Sequence, residues 1–109
     1  MANRSTRGNI LRSIQRLGAR MSVLCEHEGL QVLITEIEPG AALAEVSLWH
    51  SWSWHLVVAG QAIFEQRDEN WELLNGQSLY LSDLPYTVVN PSPERTRIVS
   101  LLFKRKTPE

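Results

Sequence analysis

From Ser22 onward the chain is a succession of short segments in which apolar and polar residues alternate, each closed by a turn signal. No other feature constrains the fold as strongly, because a period of two belongs to half-buried strands. The segments are SVLCEH, LQVLITEIE, AALAEVSLW, SWHLVVA, QAIFEQ, NWELLN, QSLYLS, YTVVN and TRIVSLLFK. Between them stand His27-Glu28-Gly29, Pro39-Gly40, Ala59-Gly60, Arg67-Asp68-Glu69-Asn70, Asn75-Gly76, Ser82 to Pro85 and Pro91-Ser92-Pro93, residue types that favour tight turns. A lone sheet of so many strands would leave a face and two edges unprotected, so the pattern predicts an antiparallel barrel or sandwich. With 109 residues and 43% hydrophobic content, one domain with one core is expected. The single cysteine, Cys25, cannot form an internal disulfide, and no apolar run approaches the roughly 20 residues that cross a bilayer. A cytoplasmic protein with no membrane partner is the expectation.

The start of the chain differs. Arg4, Arg7, Arg12, Arg16 and Arg20 fall in residues 1–20 with no acid among them, and all 12 Asp and Glu residues lie beyond. Ile10, Leu11, Ile14, Leu17 and Met21 recur at helical spacing while Arg12, Arg16 and Arg20 take another face. This predicts a short amphipathic helix with Asn9 as its N-cap, weakened in its last turn by Gly18. The expected organisation is a basic N-terminal extension over 1–21 and a single barrel domain over 22–109. The arginines can meet the acidic body or another subunit; the acidic body itself would repel nucleic acid or an anionic membrane, so no nucleic-acid partner is expected.

The run HLVVAGQAIFE, followed after a short acidic turn by WELLNGQSLYLSDLPYTVVNPSPE, resembles the core of the cupin superfamily of small jelly-roll barrels. The likeness spans about Leu30 to Phe103 and rests on Pro39-Gly40, Gly60, Gly76, Pro85 and Asn90 at turns. It implies an all-β, cupin-like antiparallel β-barrel or jelly roll. Metal-binding members of that family carry G-x5-H-x-H-x3,4-E-x6-G and then G-x5-P-x-G-x2-H-x3-N, whose three His and one Glu hold a divalent metal. Here the motifs are degenerate. Anchored on Gly60, the glutamate position is Ser53 and the histidine positions are Val46 and Leu48, or Ser47 and Trp49. Anchored on Gly76, the second motif meets Ser82, Leu84, Thr87 and Pro91, or Tyr86 and Asn90 after a one-residue shift. Neutral side chains do not offset the dehydration of a divalent ion, so no metal cofactor is expected.

The densest chemistry lies in LWHSWSWHLVVAGQAIFE, Leu48 to Glu65. Alternation puts Ser53, His55 and Val57 on one strand face and Trp52 and Trp54 on the other. His55 is the preferred interior histidine, read as a core or pocket-wall residue before a metal ligand. Ser53, His55, Val57, Tyr80, Tyr86 and Thr87 form the candidate lining of a small-molecule pocket, of which strand parity allows only part to face inward together. Two tryptophans on the face away from the interior need another layer, which predicts a homodimer. The alternative is a metal-dependent enzyme of dioxygenase or isomerase type with displaced ligands, His50, His55 and Glu45, holding a divalent ion. A further alternative is a dimeric interaction module. Cys25 and His27 share a strand parity as a metal pair would, but no second pair accompanies them, and a small buried cysteine is the simpler expectation. No nucleophile elbow, phosphate cradle or Ser-His-Asp order is visible.

Overall fold

The computed structural model describes residues 10, 12–46, 52–82 and 85–103, without the side chains of residues 45 and 46. Among these residues the chain is all-β. Its strands are β1 (Arg12–Arg16), β2 (Ala19–His27), β3 (Leu30–Ile37), β4 (Ala42–Val46), β5 (Trp52–Ala59), β6 (Ala62–Gln66), β7 (Glu69–Leu73), β8 (Ser78–Leu81), β9 (Tyr86–Val89) and β10 (Thr96–Phe103). They pair antiparallel in a six-stranded sheet, order β1-β2-β3-β10-β5-β8, and a four-stranded sheet, order β4-β9-β6-β7. The two sheets face each other as a sandwich, one of the two expected architectures, and the described strands do not close into a barrel. Met21, Leu33, Ile37, Ile98 and Leu102 from the larger sheet meet Phe64 and Val88 from the smaller in one buried cluster. Among the described residues no helix is long and apolar enough to cross a membrane.

The predicted N-terminal helix is a hairpin instead. β1 pairs with β2 so that Arg16 stands opposite Ala19, and Leu17-Gly18 make a two-residue turn. Gly18 sits at φ 77°, a left-handed conformation that costs glycine nothing, and a Cβ there would lie 2.7 Å from that of Ala41. The residue read as weakening a helix closes a turn. Leu17 is 98% exposed at its tip, so the apparent helical stripe is not one buried face. β2 then runs unbroken through Met21, where the extension was expected to end.

The central strands β3, β10 and β5 set the character of the larger sheet. Facing the smaller sheet, Gln31, Thr35, Ser53, His55, Thr96 and Ser100 are buried between Leu33, Ile37, Val57, Ile98 and Leu102. Facing away, the same strands present Val32, Ile34 and Glu36, then Arg97, Val99, Leu101 and Phe103, then Trp52, Trp54, Leu56 and Val58, half-buried or exposed, with Glu36 and Arg97 the polar ones. The inner face is thus the more polar of the two.

One turn is fastened from inside. Asn90 is fully buried; its Nδ2 donates to the carbonyls of Ile37 at 2.9 Å and Glu94 at 2.7 Å, and its Oδ1 accepts from the Ser92 amide at 2.9 Å. A Cβ on Gly60, at φ 78°, would stand 2.6 Å from Thr96 Oγ1 and 2.8 Å from the Arg95 carbonyl. Only glycine fits that β5–β6 corner.

Candidate functional site

β5 lies between β10 and β8, and its alternation drives Ser53, His55 and Val57 into the sandwich at 0%, 1% and 0% exposure. His55 stands opposite Ser100 of β10 in the register. Its Nδ1 is 2.6 Å from Ser100 Oγ and its Nε2 2.8 Å from Ser53 Oγ. A hydroxyl both donates and accepts, so either neutral tautomer of the ring is served on both sides. From the smaller sheet Phe64 and Tyr86 close over the imidazole, with ring centroids 4.9 and 5.0 Å away. Burial pushes the Tyr86 phenol far above its ordinary value, so this hydroxyl stays neutral in any physiological medium.

A further polar residue extends this wall. Gln31 lies across Leu102 from Ser53, both being register partners of that leucine, and is 3% exposed. Its Nε2 donates to the Glu26 carboxylate, to which the Arg12 guanidinium also donates. Those contacts, Arg12 first and Gln31 second, hold the Glu26 carboxyl below its usual range. Among the described residues Gln31 Oε1 is buried with no hydrogen-bond partner. Such an acceptor costs about 1–3 kcal/mol while it stays unmet.

The other predicted pocket residues separate by parity. Tyr86 is buried with Val88 and Thr87 is half-buried on the other parity, and both border an open surface pocket of about 380 Å³ with Glu65, Arg67 and Pro85. Tyr80 is 57% exposed on the outer face of β8, stacked on Trp52 at 5.3 Å. Ser53, His55, Val57 and Tyr86 therefore come together, and Tyr80 and Thr87 do not join them. Gln31, Phe64 and Ser100, absent from the sequence-based set, complete the wall. Their signal was parity: Gln31 is in phase with Leu33 and Ile37, and Ser100 with Ile98 and Leu102.

A divalent metal does not fit the described residues. The family's glutamate position is Ser53, engaged with His55, and no three His, Cys, Asp or Glu side chains converge among the described residues. His50 lies outside them, and only the backbone of Glu45 is described. The Asn90 alignment position is occupied by the turn clasp already described. Cys25, expected to be buried, is exposed, because a bulge between Val23 and Cys25 shifts the register at the end of β2. His27 stands 3.8 Å from Glu28 at the adjoining turn.

No protein-family model matches the chain, and no curated protein matches it. Solved structures do. A cupin superfamily protein from Desulfitobacterium hafniense superposes with a TM-score of 0.68 at 12% identity, covering 84% of this chain and 83% of its own. The cupin domain of an XRE-family transcriptional regulator from Enterobacter cloacae gives 0.71 at 17% identity, over 82% of this chain and 99% of that one. A protein described as a predicted oxalate decarboxylase from Thermotoga maritima gives 0.73 at 13% identity, over 96% and 100%. At such identities the likeness is one of architecture, and architecture does not carry an activity with it. The chain has the cupin fold.

Proposed function

We propose that this domain binds a small organic molecule against the polar wall formed by Gln31, Ser53, His55 and Ser100, and that the molecule presents a hydrogen-bond donor to Gln31. The reading rests on the unmet Gln31 Oε1 inside the sandwich. A purely structural core would be better served by leucine at that position, since an apolar side chain carries no desolvated acceptor. An amine, amide or hydroxyl of a ligand would meet that acceptor. His55 and the two serine hydroxyls bonded to its ring nitrogens are the other hydrogen-bonding groups of that wall. Solved structures of this architecture include the cupin domain of a transcriptional regulator and a predicted oxalate decarboxylase.

The test is native mass spectrometry and elemental analysis of untagged protein, followed by a thermal-shift screen of small amines, sugars and hydroxy acids. A retained or stabilising molecule that Gln31→Leu no longer binds supports the reading. Wild-type protein that neither retains nor responds to any such compound counts against it. About one transition-metal ion per chain would replace it with the displaced-ligand enzyme built on His50, His55 and Glu45.

A further inference from the structure

A glutamine amide carries a donor at one end and an acceptor at the other, and half a turn of its last torsion exchanges them with little change of shape. What holds Gln31 one way is Glu26, its register partner on β2. A carboxylate accepts and never donates, so the end of Gln31 that meets Glu26 has to be Nε2 and the end left buried has to be Oε1. Glutamine alone would offer a ligand either end.

A β-bulge brings this contact about. Before it, Met21 and Val23 face the core opposite Thr35 and Leu33. After it, Cys25 stands opposite Val32 and is exposed, and Glu26 stands opposite the buried Gln31. In a strand continuing regularly from Val23, Cys25 would take the inner face and Glu26 the outer one. Arg12, opposite Val23 on the edge strand β1, donates to the same carboxylate. Its hydrogen bond, ahead of that of Gln31, holds the Glu26 carboxyl below its usual range, so at neutral pH the group is ionised and can only accept.

We infer that Glu26 is the positioning residue that sets the hydrogen-bond sense of the ligand wall: through Gln31 it makes that point of the site an acceptor, which selects ligands bringing an N–H or O–H and rejects those bringing only an ether, carbonyl or carboxylate oxygen.

The inference rests on the ligand reading for what is selected, and on the contact between Glu26 and Gln31 for how. Two acceptors placed face to face both stay unmet, a penalty large enough for a preference of about tenfold or more.

Two experiments keep these parts separate. In the ligand-free full chain, NMR should show a coupling across the hydrogen bond from Gln31 Nε2 to the Glu26 carboxyl carbon, its signal identified by its loss in Gln31→Leu. Absence of that coupling would overturn the inference with no ligand involved. The second experiment titrates the protein with pyrrole, a neutral ring that donates through N–H, and with tetrahydrofuran, a neutral ring of the same size that only accepts. Because neither ring is charged, a change of charge at Glu26 acts through the amide and not through attraction to the ligand. Wild type should bind pyrrole about tenfold or more tightly than tetrahydrofuran. Glu26→Gln, which can accept or donate, should level that preference. Glu26→Lys, which can only donate, should draw Oε1 toward itself, turn Nε2 inward and reverse the order. A wild-type preference for tetrahydrofuran, a folded Glu26→Lys protein that keeps the wild-type order, or a loss of affinity equal for both rings, as a merely structural Glu26 would give, would each overturn the inference. Failure of both rings to bind wild-type protein counts against the ligand reading, and the coupling still decides whether Glu26 sets the amide.

Discussion

The two faces of the central strands reverse the usual assignment of polarity. Inside, β5 offers Ser53 and His55, β10 offers Thr96 and Ser100, and β3 offers Gln31 and Thr35, all nearly inaccessible. Outside, the same strands offer tryptophan, leucine and valine. Burying polar groups demands matched partners, whereas exposing apolar ones demands a cover, so the two faces fail in different ways. Inner-face changes should be read in stability, and outer-face changes in association.

The largest effect should come from the inner face. His55→Ala removes a buried ring and strands the Ser53 and Ser100 hydroxyls, and should cost about 3 kcal/mol in urea unfolding. Trp52→Ala, at an exposed outer position, should stay within about 1 kcal/mol in dilute protein. Equal costs would erase the contrast between the faces. Next comes Tyr86, whose phenol is raised by burial. A raised folded pKa means its contribution is complete below the unfolded value near 10 and is lost as pH rises through the folded one. At about pH 11 wild-type protein should have lost about 1.4 kcal/mol that Tyr86→Phe does not lose, measured as the difference between their alkaline unfolding curves.

Gln31→Leu sharpens the comparison with the opposite sign. Relieved of an unmet acceptor, the ligand-free protein should gain about 1 kcal/mol and a higher Tm. A clear loss would show that the bond to Glu26 outweighs the orphan oxygen. The smallest effect should lie at the margin, where Arg12 lowers the exposed Glu26 carboxyl. A lowered folded pKa gives a contribution present above the unfolded value near 4 and lost as pH falls through the folded one. The Tm of Arg12→Ala should lie marginally below wild type at neutral pH and merge with it in acid.

Much of the fold was legible because β3, β5 and β10 alternate so regularly and their turns carry glycine or proline. The hairpin of β1 and β2 was not, for a physical reason. β1 is an edge strand in which only Ile14 is even half-buried, so it has no period-two stripe, and the accidental spacing of Ile10, Ile14 and Met21 imitates a helix. Barrel closure was equally invisible, since alternation reports which way side chains point and not whether two sheet edges meet. At the site, parity placed Ser53, His55 and Val57 on one face, as the structure does. It could not pair His55 with Ser100, 45 residues away, because that contact exists only through the β5–β10 register. Tyr80 and Thr87 were drawn in by their chemistry, and their parity carried them to the outside.

The hairpin that replaced the helix has one more consequence. β1 occupies the edge of the larger sheet, and its exposed residues include Arg12, Gln15 and Arg16. Charged side chains on an edge discourage a stranger's strand from continuing the ladder. Removing the chain before Ala19 would hand that edge to β2, whose Met21-Ser22-Val23 run is uncharged and apolar at both ends. The shortened protein should then be prone to fibrillar self-association, which makes those first arginines guardians of solubility as much as sources of charge.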